Sequence, residues 1–163
     1  MNRSSNHSKQ KELQLGQHSF PLGERTIIMG ILNVTPDSFS DGGRFDNLEK
    51  ALQQAYRMAE EGADIIDIGG ESTRPGHKKI SADEELSRIM PIIKELKSEQ
   101  SFKTPLSIDT YKAAVGRQVL ELGVEMLNDV WGFKEDPEWA RVAAEYSVPV
   151  CLMHNKQTTE YDD

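Results

Sequence analysis

Short apolar segments alternate with longer amphipathic segments over most of this chain. Five apolar segments have the length and composition of buried strands. They lie at residues 27–32, 63–68, 105–108, 125–130 and 148–153. Amphipathic helices are predicted between them, at 47–61, at 111–122 and after Ser81 and Asp136. Strands that alternate with helices of this length indicate repeated βα units and a parallel sheet, and therefore an α/β fold.

Residues with a preference for helix ends mark the predicted boundaries. Asp46 is expected to cap the first helix, and Thr110 the third. Ser81 with Glu84 predicts a capping box at the start of the second helix. Pro91 lies within that second helical pattern and predicts either a kink or a later restart, because proline cannot donate an intrahelical hydrogen bond.

The N-terminal part of the chain departs from this alternating pattern. Residues 1–12 are polar and contain almost no apolar side chain, so we predict a disordered tail there. Residues 13–25 carry Gly16, Pro21 and Gly23 and predict a short hairpin before the first strand of the sheet. The domain itself is therefore expected to cover 13–163.

Composition and charge restrict the classes of partner. The chain has 163 residues, of which 37% are hydrophobic, so one domain with a core is expected. The formal net charge of -8 disfavours nucleic acid and anionic membranes as partners. No apolar run approaches the ~20 residues of a membrane span, and no secretory signal is recognisable. With a single cysteine that cannot form an internal disulfide, these features predict a cytoplasmic protein.

Several residues that could carry chemistry are given plainer interpretations. Cys151 lies inside a predicted strand and is expected in the core rather than as a nucleophile. His154 has no second histidine placed to join it as a metal ligand, so a structural role is expected. Glu71 is interpreted as a loop hydrogen-bonding group rather than a base, and Lys78 and Lys79 are expected to face solvent.

Polar side chains follow each predicted strand at the point where it ends. The positions are Asn33, Glu71, Asp109, Asn128 with Asp129, and His154 with Asn155. The carboxyl ends of parallel strands meet at one edge of a sheet, where α/β barrels carry their sites. Amides and carboxylates there can bind a polar heterocycle or a metal. The same residue types also cap helices and form turns, and spacing alone leaves the two interpretations about even.

Four motifs coincide with these strand ends. They are NVTPDSFSDGG at 33–43, GGESTRPG at 69–76, SIDT at 107–110 and LNDV at 127–130. In order and spacing they resemble the dihydropteroate synthases, over about 27–154 of the chain. The resemblance implies a pterin-binding (β/α)8 TIM barrel, of which this chain would hold the first five βα strands. It also implies condensation of p-aminobenzoate with 6-hydroxymethyl-7,8-dihydropterin diphosphate to give 7,8-dihydropteroate and pyrophosphate, in folate biosynthesis.

The resemblance assigns roles to individual residues. Asn33 would correspond to a magnesium ligand, since its side-chain oxygen suits Mg²⁺ that is shared with a pyrophosphate and waters. Thr73, Asp109 and Asn128 would bind the pterin diphosphate, the last two by reading the donor and acceptor groups of the pterin ring. No residue is assigned as catalytic, because the protein would mainly position the partners and exclude water.

The long loops at 35–45 and 71–79 would contribute the p-aminobenzoate pocket in the resembled family. Phe39, Arg74 and Pro75 would help to bind p-aminobenzoate. A loop aromatic such as Phe39 can equally be a packing anchor, and Arg74 an ordinary surface charge.

Three functional interpretations follow from the extent of the resemblance. A complete barrel typically needs ~250 residues, and the resembled enzymes place further pterin and diphosphate ligands on their last three strands. We therefore expect part of a synthase that is homodimeric at full length, and that the 163-residue chain alone is inactive and marginally folded. The alternatives are a non-catalytic pterin-binding protein and a pterin-binding methyltransferase domain. The motifs at 33–43 and 69–76 favour the synthase, because they belong to its amine-accepting side.

Overall fold

The computed structural model describes residues 11–35, 44–72 and 78–154, without the side chains of 44–46. Two short strands, β1 (Glu12–Leu15) and β2 (His18–Pro21), pair antiparallel and confirm the predicted hairpin. Gly16 turns the chain between them with a φ of 55°, a conformation that favours glycine. Most of the predicted tail lies outside the described residues, whereas Glu12 already belongs to β1.

Five further strands form one parallel sheet in chain order, and a helix follows each of the first four. The strands are β3 (Met29–Asn33), β4 (Ile65–Gly69), β5 (Leu106–Asp109), β6 (Met126–Asp129) and β7 (Val150–Leu152). The helices are α1 (Arg44–Glu60), α2 (Ala82–Ser98), α3 (Ala113–Glu121) and α4 (Trp139–Tyr146). This confirms the predicted α/β arrangement of βα units. It also places the carboxyl ends of the five strands at one edge of the sheet.

The sheet is covered by the apolar faces of the helices. Every residue of β4 is buried, as expected for a parallel strand that is packed on both faces. The side chains of Ile66, Ile68, Ile89, Ile93 and Ile108 are fully buried in the main core. Burial of such a side chain stabilises the fold by about 1.5–3 kcal/mol. The strand-end residues therefore stand on a rigid support.

A second core cluster joins α3 and α4. The Trp139 indole is fully buried and packs on Gly116, where a Cβ would overlap two ring carbons. Glycine in the middle of α3 is thus required by the close approach of the indole rather than by backbone conformation.

The helix starts correct two of the predicted caps. Helix α1 begins at Arg44, so Asp46 lies inside it and is not its cap. Helix α3 begins at Ala113, whose amide donates to Asp136 Oδ2 at 2.8 Å. Thr110 Oγ1 instead accepts from the Lys112 amide, at 3.2 Å. Because the carboxylate that caps α3 comes from 23 residues away in the chain, local spacing could not reveal it.

Helix α2 agrees with the prediction at its start and differs further along. Ser81 Oγ accepts from the Glu84 amide at 3.1 Å, which confirms the cap. The Glu84 carboxylate binds Arg88 at 2.5 Å. The helix is continuous through Pro91, so the predicted restart is wrong. Burial of Ile89 and Ile92 on either side of the proline stabilises the helix beyond its local propensity.

Cys151 corrects a prediction about the core. It belongs to β7, as expected, but it is exposed. Among the described strands β7 pairs only with β6, so one side of it is uncovered. None of the described helices has the length and hydropathy of a membrane-spanning segment.

Candidate active site

The register of the sheet brings three predicted site residues into one row. Asn33 is opposite Gly69, Gly69 is opposite Asp109, and Asp109 is opposite Asn128. Neighbouring strands are about 4.8 Å apart, so one flat heterocycle can reach adjacent members of the row. Cys151 is opposite Asn128 and continues the row on β7. We call Asn33, Gly69, Asp109 and Asn128 the strand-end row.

Gly69 keeps the space between Asn33 and Asp109 open. A Cβ at this position would lie 3.3 Å from Asn33 Oδ1, 3.7 Å from Asp109 Cβ and 3.8 Å from Asp109 Oδ2. Any larger side chain would therefore fill the gap between the amide and the carboxyl group. Asn33 itself is exposed at the end of β3.

Asp109 combines burial with an unpaired carboxyl oxygen. Its Oδ1 atom is buried and has no hydrogen-bond partner among the described residues. Burial raises the pKa of Asp109 to about 7, and the carboxylates of Asp67, Glu85, Asp129 and Glu71 add to the shift. An unpaired buried acceptor is costly for a fold, and a ligand donor at this position would remove that cost.

Asn128 is held by a carboxylate that the sequence interpretation missed. Its Nδ2 donates to Asp67 Oδ2 at 2.9 Å, and Asp67 is only 2% exposed. Burial raises the pKa of Asp67, and the hydrogen bond from Asn128 opposes that shift. A signal was present in the sequence, because an aspartate inside the apolar run 63–68 needs a partner when buried.

Asp129 forms a turn, which is the second of the two roles considered for polar residues at strand ends. Its fully buried carboxylate accepts from the amides of Trp131 at 2.8 Å and Phe133 at 2.7 Å. These bonds shape the turn after β6, in which Phe133 has a φ of 65°. Asn128 and Asp129 are thus adjacent in sequence but have different roles.

A second group of ionisable residues lies just beyond the ends of β4 and β5. Glu71 is buried and accepts hydrogen bonds from Lys112 and, at 3.2 Å, from the Tyr111 hydroxyl. Lys112 also binds the fully buried Glu85 of α2 at 2.5 Å. Burial alone would lower the pKa of Lys112, yet the two carboxylates raise it above its usual value. We call Glu71, Glu85 and Lys112 the ionic cluster.

The remaining predicted residues have the following positions. Lys78 and Lys79 are exposed, as expected, and Lys79 binds Glu135 at 2.5 Å. His154 is exposed. Phe39, Thr73, Arg74, Pro75 and Asn155 lie outside the described residues. Within the described ranges, no three His, Cys, Asp or Glu side chains are grouped so that they could hold a metal ion.

Fold and site together define an α/β protein with a polar, mostly anionic site at the carboxyl edge of a parallel sheet. The profile of the family described as pterin binding enzyme matches residues 29–163. This chain belongs to the pterin binding enzyme family. The predicted resemblance and the predicted barrel class are therefore confirmed.

Similar proteins with a more specific description are dihydropteroate synthases. That of Clostridium beijerinckii is 56% identical over 149 residues, covering 91% of this chain and 55% of the relative. That of Bacillus subtilis is 54% identical over 140 residues, covering 86% of this chain and 48% of the relative. The chain thus spans about half the length of the curated relatives it matches.

Solved structures give the same result. The dihydropteroate synthase of Clostridium difficile, crystallised in the presence of pteroic acid, superposes with a TM-score of 0.80 at 59% identity. The match covers 86% of this chain and 53% of that one. The Xanthomonas albilineans enzyme with 4-aminobenzoic acid has a TM-score of 0.81 at 43% identity, over 91% of this chain and 54% of that one.

The raised pKa of Asp109 predicts how the stability of the chain depends on pH. The folded chain binds the Asp109 proton more tightly than the unfolded chain does, so this group costs stability as pH rises from its ordinary 3.8 to about 7. Asp109→Asn removes that cost. In urea unfolding, the variant should exceed the unsubstituted chain by about 4 kcal/mol at pH 8 and approach it at pH 4.

The control for this prediction is Asp83→Asn, which removes an exposed carboxylate from the first turn of α2. Because Asp83 is exposed, its replacement should not reproduce the gain in stability at pH 8 that is expected for Asp109→Asn. Parallel curves for Asp109→Asn and the unsubstituted chain would show that Asp109 has an ordinary pKa.

Proposed function

We propose that this chain provides the pterin-binding side of dihydropteroate synthase. The reaction joins p-aminobenzoate to 6-hydroxymethyl-7,8-dihydropterin diphosphate and releases pyrophosphate, a step of folate biosynthesis. The observation that carries the proposal is the strand-end row, in which the buried Asp109 Oδ1 lacks a partner among the described residues. The relatives' names and the pteroic acid in a related crystal support the choice of ligand.

Asp109 and Asn128 suit the polar edge of a pterin ring. A 2-amino-4-oxo pterin presents adjacent N–H donors and acceptors, and a carboxylate accepts from two such donors at once. The Asn128 side-chain nitrogen already donates to Asp67. The carbonyl oxygen of the same side chain is the group proposed to accept from the ligand. The two side chains are on directly opposed positions of β5 and β6, which matches the width of one ring edge.

Asn33 fits a magnesium ion that is shared with a diphosphate. Mg²⁺ in phosphate sites commonly takes only one or two protein oxygens and completes its shell with phosphate and water. Asn33 offers one exposed amide oxygen, and Gly69 leaves the space beside that oxygen open. When bound there, the ion would neutralise charge on the diphosphate leaving group.

The chain's own residues would act by orientation. In the reaction the amine nitrogen attacks the methylene carbon and loses one proton, while the carbon–oxygen bond to the diphosphate breaks. Asp109 and Asn128 hold the ring that carries the methylene carbon. Thr73, Phe39, Arg74 and Pro75 remain predicted contacts of the diphosphate and of p-aminobenzoate. The homodimer and the cytoplasmic location also remain predictions.

A pterin-binding protein without transferase activity is the second candidate. Two lysines near Tyr111 form ion pairs with carboxylates of the chain. Lys112 binds Glu71 and Glu85, and Lys79 binds Glu135. Their charges are thus balanced without a diphosphate. Binding of pteroic acid without release of pyrophosphate from the two substrates would favour this candidate over the synthase.

Asp109→Ala should weaken binding of pteroic acid by on the order of 10²-fold, because two hydrogen bonds to a charged group are lost. Isothermal titration calorimetry with the unsubstituted chain and the variant measures this change. Asp83→Ala, a carboxylate removed from the exposed start of α2, should bind as the unsubstituted chain does. Equal affinities for all three proteins would remove Asp109 from the pterin site.

Asn33→Leu should abolish the effect of magnesium on diphosphate binding. In the unsubstituted chain, Mg²⁺ should tighten binding of the dihydropterin diphosphate and leave that of pteroic acid unchanged, because pteroic acid has no diphosphate. Asn33→Asp should retain the magnesium effect, since it keeps a hard oxygen ligand. A magnesium effect of full size in Asn33→Leu would assign the ion to other residues.

A further inference from the structure

Lys112 connects three parts of the chain that surround the strand-end row. It lies three residues beyond Asp109, at the start of α3. Its ammonium group binds Glu71, two residues beyond Gly69, and Glu85 of α2. The side chains of Lys112, Glu71 and Glu85 are 13%, 9% and 1% exposed, respectively. The segments that leave β4 and β5 are thus held together through one partly buried cation.

Tyr111 adds a second connection between the same two segments. Its hydroxyl donates to Glu71 Oε1 at 3.2 Å, and Lys112 Nζ lies 4.5 Å from the centre of its ring. A cation at this distance from an aromatic face is attracted by it. Two consecutive residues after β5 therefore bind the same carboxylate after β4.

The backbone after β4 is also pressed against α2. A Cβ at Gly70 would lie 2.8 Å from Ile89 Cγ2 and 3.0 Å from Glu85 Cγ. Arg88 donates to the Gly70 carbonyl oxygen at 2.8 Å. Gly70 follows Gly69 directly. The position of Gly69 in the strand-end row therefore depends on the contacts that hold Gly70 against α2.

Stability alone does not account for the ionic cluster. Two buried carboxylates share one partly buried ammonium group, and Glu85 Oε1 has no hydrogen-bond partner among the described residues. Apolar side chains of similar volume commonly stabilise a fold as well as, or better than, such a buried ionic group. Directional contacts, by contrast, specify one relative position of the segments that they join.

We propose that Lys112 is a positioning residue, which sets Asp109 relative to Gly69 and Asn33 by binding Glu71 and Glu85. The proposal rests on the proposed function for the identity of the ligand, and on the contacts above for the geometry. Lys112 is not expected to touch the pterin. Its removal would let the ends of β4 and β5 move relative to each other, so that the row no longer matches the ring.

The chain offers a matched control at the opposite end of the sheet. Lys97 of α2 binds Glu125, just before β6, at 2.5 Å, with side-chain exposures of 23% and 19%. Glu125 also accepts from the Leu106 amide at 2.9 Å. Lys97→Met removes a comparable ion pair near the amino ends of β5 and β6, away from the strand-end row.

The test compares Lys112→Met, Lys112→Arg and Lys97→Met by two measurements on the full chain. Calorimetry gives the affinity for pteroic acid, and hydrogen exchange gives the protection of amides at 70–72 and 110–112. Lys112→Met should lose affinity about tenfold or more, because a displaced Asp109 would lose at least one hydrogen bond to the ring. It should also increase exchange in both segments. Lys112→Arg keeps the positive charge and should restore much of the affinity and much of the amide protection. Lys97→Met should keep the affinity within about twofold of that of the unsubstituted chain.

A second variant covers the case in which Lys112→Met does not fold. Glu71→Ala leaves Lys112 and Glu85 as a neutral pair, so no unpaired charge is buried, and it should show the same loss of affinity and protection. In an Asp109→Asn background, loss of the cluster should cost little further affinity, because the positioned group is already changed.

The outcomes separate this proposal from the proposed function. Unchanged affinity and exchange in the Lys112 or Glu71 variants would overturn it, and so would an equal loss of affinity in Lys97→Met. If the unsubstituted chain does not bind pteroic acid, the proposed function fails. The exchange of 70–72 and 110–112 then decides alone whether Lys112 holds the two segments in place.

Discussion

The candidate site depends first on the register between parallel strands. Asn33, Gly69, Asp109 and Asn128 come from four strands, and only the observed pairing places them side by side. A shift by one residue would turn the side chains of a strand to the other face of the sheet. That register is fixed by the apolar faces of α1, α2 and α3, which cover the fully buried β4 and its neighbours. The same burial that stabilises the fold therefore also aligns the polar residues.

Burial also determines the electrostatics of this edge. Asp109 is surrounded by other carboxylates, including Asp67 and Asp129, and its pKa rises because water is excluded. Asp129 is satisfied by the turn after β6, and Asp67 accepts a hydrogen bond from Asn128. Asp109 Oδ1 has no hydrogen-bond partner among the described residues, and neither has Asp67 Oδ1. A ligand that brings N–H donors would remove that cost on binding, which links fold stability to recognition.

The sequence predicted those features that depend on local pattern. Strand positions, the hairpin and the placement of Asn33, Asp109 and Asn128 at strand ends follow from apolar periodicity and from the turn residues. Features that depend on distant partners were not predicted. Asp67 meets Asn128 across 61 residues, and Lys112 meets Glu71 across 41. No local rule pairs such residues, since the fold alone brings them together.

The most direct test of this account is carbon NMR of the chain with ¹³C-labelled aspartate carboxyl groups, with Asp109→Asn used to assign the Asp109 signal. In the free chain the Asp109 carboxyl should titrate with a pKa of about 7. Saturation with pteroic acid should lower that pKa well below 7, because donors from the ring stabilise the carboxylate. A titration of Asp109 that pteroic acid leaves unchanged would contradict the assignment of the strand-end row as the pterin site.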